Sequence, residues 1–187
     1  MESLPNRERE PQVVISIATP DDAEGISQVL YESWLATYPN EEVGITVEDI
    51  EDSYKDRLSP ERMQKSREIL KNVPESERRL VAKVGSRIVG VARVIKEEDK
   101  NKLQTLYVLP EFQGKGIGTA LWEAGRSYLD SRKDTYLEVA EYNHNAISFY
   151  TKLGFVDTGK RIADERFRMK SGSIIPEMEM KRAADHS

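Results

Sequence analysis

Three alternating glycines at positions 114, 116 and 118 follow an apolar, strand-like stretch and precede an apolar helical pattern. Glycine lets the backbone approach a ligand closely, and loop amides combine with the first free N–H groups of a helix to bind an anion. The helix dipole favours a negative ligand at the same end, and Lys115 adds a positive charge. The loop is therefore predicted to hold a diphosphate.

Two common diphosphate motifs do not fit this loop. The P-loop pattern G-x-x-x-x-G-K-[ST] is absent, and Leu121 stands where the dinucleotide fingerprint G-x-G-x-x-G needs its third glycine. The residues do match Gln-x-x-Gly-x-Gly, from Gln113 to Gly118. That pattern resembles the pyrophosphate loop of the GCN5-related N-acetyltransferases, the GNAT family. A strand–helix turn without a ligand is the alternative interpretation.

A second motif occupies residues 137–155 and reads LEVAEYNHNAISFYTKLGF. It resembles the other half of a GNAT active site, in which a strand, an Asn-led helix and a Tyr…Gly-Phe ending follow the cofactor helix. The resemblance is good over residues 80–155 and loose over the first strand and helix. Each motif alone is common, but the pair at this separation is fairly specific to the family.

The resemblance implies that acetyl-CoA, as cosubstrate, lies between two splayed strands, the one ending near Val108 and the one beginning near Tyr136. Backbone groups would pair with the pantetheine arm, and the glycine loop would hold the diphosphate. Asn143 matches a position that touches the cofactor arm. The alternative is that Asn143 only caps the N-terminus of the following helix, and both roles could hold. The implied cofactor-binding residues are Leu106, Tyr107, Val108, Gln113, Gly114, Lys115, Gly116, Ile117, Gly118, Thr119 and Asn143.

The resemblance also implies the catalytic residues. Tyr150 matches the family's general acid, and a phenol with a pKa near 10 can protonate a leaving thiolate with a pKa near 8.5. An amine with a pKa near 10.4 is only about one part in a thousand neutral at pH 7, so a carboxylate acting through water would help. Glu138 matches the base of protein N-terminal acetyltransferases, and Glu141 is the runner-up. The alternatives are an apolar role for Tyr150, solvated carboxylates, and ordered water as the base.

The acceptor site is predicted at the end of the first helix, where residues 33–39 resemble GNAT proteins related to bacterial polyamine acetyltransferases. Trp34 and Tyr38 would form an aromatic mouth that attracts an amine cation. Core packing of both rings and a solvated acidic surface are the alternative. The acids proposed for this mouth are Glu41, Glu42, Glu48 and Asp49.

Composition excludes several function classes. The 187 residues include no cysteine, which rules out disulfides, a thiolate metal site and a cysteine nucleophile. Two distant histidines do not suggest a metal site, and a net charge of −5 argues against broad nucleic-acid binding. The sequence contains no long apolar run and begins with a charged segment, so we expect neither a membrane span nor a secretory signal, and a cytoplasmic location. A homodimer is expected only by analogy.

Hydrophobic periodicity and turn residues supply the elements that must position these residues. Helices are predicted from Thr19-Pro20, from Thr46, from Ser59-Pro60, after the glycine loop, and over 146–153. The predicted strands span 13–17, 80–84, 88–95, 102–108, 136–139, 155–158 and 176–180. The predicted class is α/β (α+β) with the GNAT fold, meaning a mostly antiparallel, mixed, twisted sheet of about seven strands, four to five helices, and a V-shaped splay between the fourth and fifth strands. A single domain over 12–182 is expected, with a disordered tail at 1–11 and a second tail at 183–187.

Three functions remain open at this point. The first is an acetyl-CoA-dependent N-acetyltransferase that transfers directly, in a ternary complex, to a primary amine. Its acceptor would be a small amine or polyamine or, alternatively, a peptide N-terminus. The second is a GNAT module that binds an acyl-CoA without turnover. The third is a different nucleotide-binding enzyme, which would respond to NAD or ATP and not to CoA.

Overall fold

A mixed sheet runs through residues 12–185, which are, with the exception of the side chain of residue 166, the part of the chain that the computed structural model describes. Its seven strands lie in the order β1-β2-β3-β4-β5-β7-β6. They are β1 (Val13–Ile17), β2 (Glu77–Val84), β3 (Arg87–Lys96), β4 (Asn101–Val108), β5 (Thr135–Ala140), β6 (Val156–Ala163) and β7 (Pro176–Arg182). The predicted tail at 1–11 and positions 186–187 of the second tail lie outside the described residues.

Five α-helices are present within the same residues, and their starts follow from capping chemistry. They are α1 (Ala23–Thr37), α2 (Val47–Tyr54), α3 (Pro60–Lys71), α4 (Ile117–Arg126) and α5 (His144–Lys152). Thr46 forms a capping box with Asp49, and the Ser59 hydroxyl accepts from the Arg62 N–H. Thr19 also forms a capping box, but the chain first makes a short 3₁₀ turn at Pro20–Asp22 before α1 begins.

The helices cover the two faces of the sheet. On one face, the region of α1 and α2 packs against side chains of β4 and β5, including Tyr107 and Ala140. On the other face, α4 carries the fully buried Trp122 and approaches β3 so closely that a Cβ at Gly125 would lie 2.9 Å from a Val94 methyl. Within the described part of the chain, no helix is long and apolar enough to cross a membrane.

The strands β4 and β5 run parallel but pair only at Asn101↔Thr135 and Lys102↔Tyr136. Beyond these positions β4 stays paired with β3 as far as Gly90↔Val108, while β5 stays paired with β7 as far as Ala140↔Glu177. The two strands therefore separate into a V that opens toward their carboxyl ends. The predicted fold class, including the splay between the fourth and fifth strands, is confirmed.

Asn101 lies at the apex of this V and is almost fully buried, with 1 % of its surface exposed. Its side-chain amide donates to the carbonyl oxygens of Asp130 at 2.8 Å and Lys133 at 3.1 Å. Its Oδ1 accepts from the Asp130 N–H at 3.2 Å. One side chain thus fastens the loop after α4 to the point where β4 and β5 meet.

Replacing this amide tests how strongly the apex depends on it. We expect Asn101→Ala to lower the free energy of unfolding by about 2–3 kcal/mol, because buried backbone groups lose their partners. The matched control is Asn72→Ala, since the Asn72 amide also donates to a backbone carbonyl, that of Glu68, but is exposed. Urea denaturation of both variants gives the comparison, and equal losses would contradict the role assigned to Asn101.

Candidate active site

A cleft of about 820 Å³ opens where β4 and β5 diverge. The carboxyl half of β4 forms one wall, and the end of β5 with the start of α5 forms the other. The glycine loop closes one end, and the last turn of α1 borders the cleft on another side. Among the predicted site residues, the cleft is lined by Leu106, Tyr107, Val108, Gln113, Gly114, Gly116, Gly118, Thr119, Glu138, Asn143, Tyr150 and Tyr38.

The glycine loop presents a row of free N–H groups. Gly114 and Gly116 have φ angles of 73° and 78°, a left-handed conformation that side chains disfavour, although a Cβ at either would meet no atom within 4 Å. Gly116 is also the N-cap of α4. Within residues 12–185 no acceptor bonds the N–H groups of 114–119. Free amides grouped at a helix N-terminus have the chemistry to bind an anion.

Three loop side chains have different surroundings. The Gln113 side-chain amide donates to the Val108 carbonyl at 3.0 Å and so ties the loop to the end of β4. The Lys115 ammonium lies 5.1 Å from the centre of the Phe112 ring. Ile117 is 2 % exposed and packs in the core, so only its backbone can face a ligand.

The edge of β4 that faces the cleft has unpaired backbone groups. Successive residues of a strand direct their hydrogen-bonding groups to opposite edges. The Leu109 N–H donates to the Val89 carbonyl on the β3 side, so Tyr107 also pairs toward β3 while Leu106 and Val108 point toward the cleft. An extended ligand arm can therefore bond Leu106 and Val108, whereas Tyr107 contributes its side chain.

Asn143 supports both interpretations that the sequence left open. Its Oδ1 accepts from the Ala146 N–H at 3.1 Å, which makes it the N-cap of α5. Its side-chain NH₂ group has no acceptor among the described residues, and the residue lines the cleft. The cap holds the side chain in place and leaves the donor group available.

Tyr150 reaches the cleft from the α5 side. Its ring packs against Phe149 and Phe155 with centroids 5.4 and 5.9 Å away, and 9 % of the residue is exposed. Its hydroxyl has no hydrogen-bond partner within residues 12–185. Burial raises the pKa of this phenol, so the hydroxyl stays protonated and is a proton donor at neutral pH.

Tyrosine hydroxyls also line the opposite, α1 side of the cleft. The Tyr38 and Tyr107 oxygens lie 2.6 Å apart, and the Tyr142 hydroxyl donates to the Tyr38 carbonyl at 2.9 Å. Burial is the main cause that raises the pKa of Tyr142 to about 12. Ser33 lines the same wall, and its buried hydroxyl has no partner in the described structure.

Trp34 lies behind this wall, outside the cleft lining. Its ring packs at a steep angle against the rings of Tyr38, with centroids 4.6 Å apart, and Tyr54, with centroids 5.6 Å apart. The acids proposed for the mouth are also absent from the lining. Asp49 is 2 % exposed and accepts from Thr46 and Ser171, while Glu48 pairs with Lys170. Of the predicted aromatic mouth, only Tyr38 borders the cleft.

Three carboxylates near the ends of β5 and β7 differ in their partners. Glu138 lines the cleft, and its carboxylate lies 3.3 Å from the Lys102 ammonium. Glu141 is 3.7 Å from the Arg161 guanidinium.

Glu177, which the sequence reasoning missed, is half-buried. Burial, and secondarily the charge of Glu138, raise the pKa of Glu177 to about 7. The alternation Glu177-Met178-Glu179-Met180 was the available signal, because it places acids on one face of a strand.

The comparison with protein families agrees with this geometry. The model of the acetyltransferase (GNAT) family matches residues 30–155. Because this match covers more than half of the chain, the protein belongs to the GNAT acetyltransferase family. The members of this family are acetyl-CoA-dependent N-acetyltransferases.

Solved structures give the same fold. The chain is similar to the PaiA N-acetyltransferase of Thermoplasma acidophilum in complex with coenzyme A, with 26 % identity, a TM-score of 0.62, and coverage of 92 % of this chain and 99 % of that one. It is similar in fold to the ribosomal-protein-S18-alanine N-acetyltransferase of Escherichia coli, with 16 % identity, a TM-score of 0.63, and coverage of 94 % and 96 %.

A curated relative matches a shorter stretch. The uncharacterized N-acetyltransferase MJ1207 of Methanocaldococcus jannaschii is 36 % identical over 63 residues, which are 33 % of this chain and 28 % of that protein.

The cleft fits coenzyme A. The free amides of 114–119 suit its diphosphate, and the unpaired backbone groups of Leu106 together with the N–H of Val108 suit its pantetheine arm. Within the described residues, no cluster of side chains could hold a metal ion. The fit therefore rests mainly on the backbone of β4 and of the glycine loop.

Gly116→Ala tests the loop directly. We expect a left-handed alanine to cost about 1–2 kcal/mol of stability, and relaxation of the backbone to turn the loop amides away from the ligand. Affinity for coenzyme A, measured by isothermal titration calorimetry, should fall at least about 10-fold. Gly159→Ala is the matched control, because Gly159 has a φ of 84°, has no atom near its missing Cβ, and lies on β6 outside the cleft. Equal affinities of the two variants would contradict an amide-based diphosphate site.

Proposed function

We propose that this protein transfers the acetyl group of acetyl-CoA directly to a primary amine. One observation carries the proposal. The cleft between β4 and β5 joins the free amides of 114–119, the unpaired edge of β4, and the unpartnered hydroxyl of Tyr150. A diphosphate bound at the loop and an arm bound along β4 would place a thioester near Tyr150. The absence of cysteine leaves no thiol for an acyl-enzyme, so transfer is direct.

The residues divide into binding and chemical roles. The loop amides hold the diphosphate, with Gln113 and Lys115 beside them. The N–H groups of Leu106 and Val108 bond the arm and polarise the thioester carbonyl. The leaving sulfur takes a proton from the Tyr150 hydroxyl, which its buried, neutral state keeps available. The partner that supplies the amine enters on the opposite, α1 side.

The lining of the α1 side supports a small cationic amine. Tyr38, Tyr107 and Tyr142 provide ring edges and hydroxyls, and Glu138 supplies a carboxylate next to them. An ammonium group is attracted by both aromatic faces and negative charge. We therefore favour a small amine or a polyamine over a peptide N-terminus.

The proposal is tested by thiol release from acetyl-CoA with a panel of amines. The panel contains spermidine, spermine, free amino acids, aminoglycosides and peptides with free N-termini. Because the protein has no cysteine, every thiol detected comes from the coenzyme. Release stimulated by spermidine or spermine supports the amine preference, and release with peptides alone would replace it. A melting-temperature shift by acetyl-CoA without any release would instead indicate a binding module.

Tyr150→Phe tests the proton donor. We expect the variant to bind acetyl-CoA unchanged and to lose about 10- to 100-fold in kcat, because the thiolate must leave without a positioned acid. Tyr128→Phe is the control, since Tyr128 is a partly buried phenol that packs against Lys96 outside the cleft. The measurement is the steady-state kcat of both variants compared with that of the unmodified protein. A kcat of Tyr150→Phe within twofold of the unmodified protein would leave Tyr150 as a packing residue.

A further inference from the structure

Glu177 stands on β7 beside the open end of the V. It pairs across the sheet with Ala140, the last residue of β5, and β7 ends its pairing with β5 there. Glu138 pairs with Glu179, two residues along β7, so Glu138 and Glu177 are diagonal neighbours on the same face of the sheet. Ala140 packs with Tyr38, which identifies this face as the α1 side of the cleft.

The carboxylate of Glu177 has neither a hydrogen-bond nor an ion-pair partner within residues 12–185. Its neighbours do have partners. Glu138 pairs with Lys102, Glu141 with Arg161, and Glu179 with Lys160 at 3.1 Å. A half-buried carboxylate without a directly paired cation is costly for stability, so its presence near a cleft points to a use in the reaction.

Glu177 is electrostatically coupled to the wall that the amine would approach. Its negative charge contributes to the raised pKa values of Tyr38, Tyr107 and Tyr142, all of which line the cleft. Glu177 itself is set back from the lining. A single water molecule between its carboxylate and the amine would complete the connection.

Resting on the proposed function, we infer that Glu177 accepts the proton of the substrate ammonium through one water molecule, while Glu138, held by Lys102, supplies a fixed negative charge that positions the ammonium. One N–H proton passes to the Glu177 carboxylate and leaves a neutral amine. The amine nitrogen bonds to the acetyl carbon as the carbon–sulfur bond breaks, and the thiolate takes the Tyr150 proton. The second N–H proton restores Tyr150, and Glu177 releases its proton to solvent.

The surroundings of Glu177 suit this role. Its pKa of about 7 leaves it ionised over the upper half of the physiological range yet still able to take a proton. Glu138 differs in having a cation beside it, because the Lys102 ammonium lies 3.3 Å from its carboxylate. The titratable and charged groups around Glu177 are Lys102 and Tyr107 on β4, Glu138 on β5, Tyr142 after β5, Tyr38 after α1, and Asp164 after β6.

The test is Glu177→Gln, which keeps the shape of the side chain and removes the charge. With an amine that the unmodified protein acetylates, kcat of the unmodified protein should rise with pH through about 7. The kcat of the variant should be about 10²-fold lower at pH 7 and should not show this rise with pH. The difference in kcat between the two proteins should shrink as the pH nears the pKa of the amine. Glu179→Gln, the same change on the same strand, should leave both kcat and the pH profile intact. Glu177→Asp should restore part of the rise with pH.

Two outcomes overturn parts of this scheme separately. A Glu177→Gln variant that keeps kcat within twofold and the same pH profile overturns the role of Glu177 alone. If the unmodified protein releases no thiol with any amine, the proposed function fails, and the role of Glu177 fails with it. Unchanged coenzyme A affinity in the variant shows that the cofactor side of the cleft is intact.

A stability measurement supplies a second readout of the environment of Glu177. Its folded-state pKa lies near 7, above the ordinary value of 4.5, so the folded protein holds this proton more strongly than the unfolded chain does. The stability contributed by the group is therefore present below pH 4.5 and is lost as the pH rises to about 7. We expect Glu177→Gln to melt higher than the unmodified protein at pH 8, and at the same temperature near pH 4. A lower melting temperature at pH 8 would overturn the unpaired, half-buried carboxylate on which the inference depends.

Discussion

The separation of β4 from β5 is the constraint on which the site depends. A strand in the middle of a sheet normally satisfies its backbone groups on both edges. Here β4 loses its second partner after Lys102, so Leu106 keeps its N–H and carbonyl groups unpaired on the cleft side, and Val108 keeps its N–H unpaired. Water or a ligand must satisfy those groups. Under the proposed function, a coenzyme arm bound in this gap would restore the missing pairing and so would take the place of a length of strand.

The two sides of the cleft differ in whether backbone or side-chain groups face a ligand. The side proposed to bind the cofactor offers mainly backbone N–H groups, and the side chain of Ile117 turns into the core. The side proposed to bind the amine offers tyrosine hydroxyls and the carboxylate of Glu138. Backbone recognition tolerates side-chain variation, whereas the side chains on the other wall set which amine is accepted. This division explains why the family and its cosubstrate are easier to identify than the acceptor.

The sequence alone predicted the elements well because their signals are local. The capping boxes at Thr19 and Thr46, the turn at Gly85, and the change to a period of two all depend on residues within a few positions of each other. The glycine-rich turn and the helix that follows it were equally local signals. The sequence did not predict contacts between residues that are distant along the chain, such as the hydrogen bond between the Tyr38 and Tyr107 hydroxyls, 69 residues apart. The burial of Asp49 and the position of Glu177 also depend on which strands and loops become neighbours, and no local pattern carries that information.

The strand pairing of β5 determines at which stage of folding the cleft forms. β5 meets β4 at two positions but pairs with β7 at six, from Thr135↔Arg182 to Ala140↔Glu177. The wall that carries Glu138 is thus held mainly by a segment that follows it by some 40 residues in sequence. During synthesis, β1 to β4 and α4 are made first and can bury much of one hydrophobic cluster. The other edge of β5 stays unpaired until β7 has been made. The cleft is therefore completed late in folding, and a chain interrupted before residue 176 would contain the glycine loop and β5 but lack the strand that pairs with most of β5.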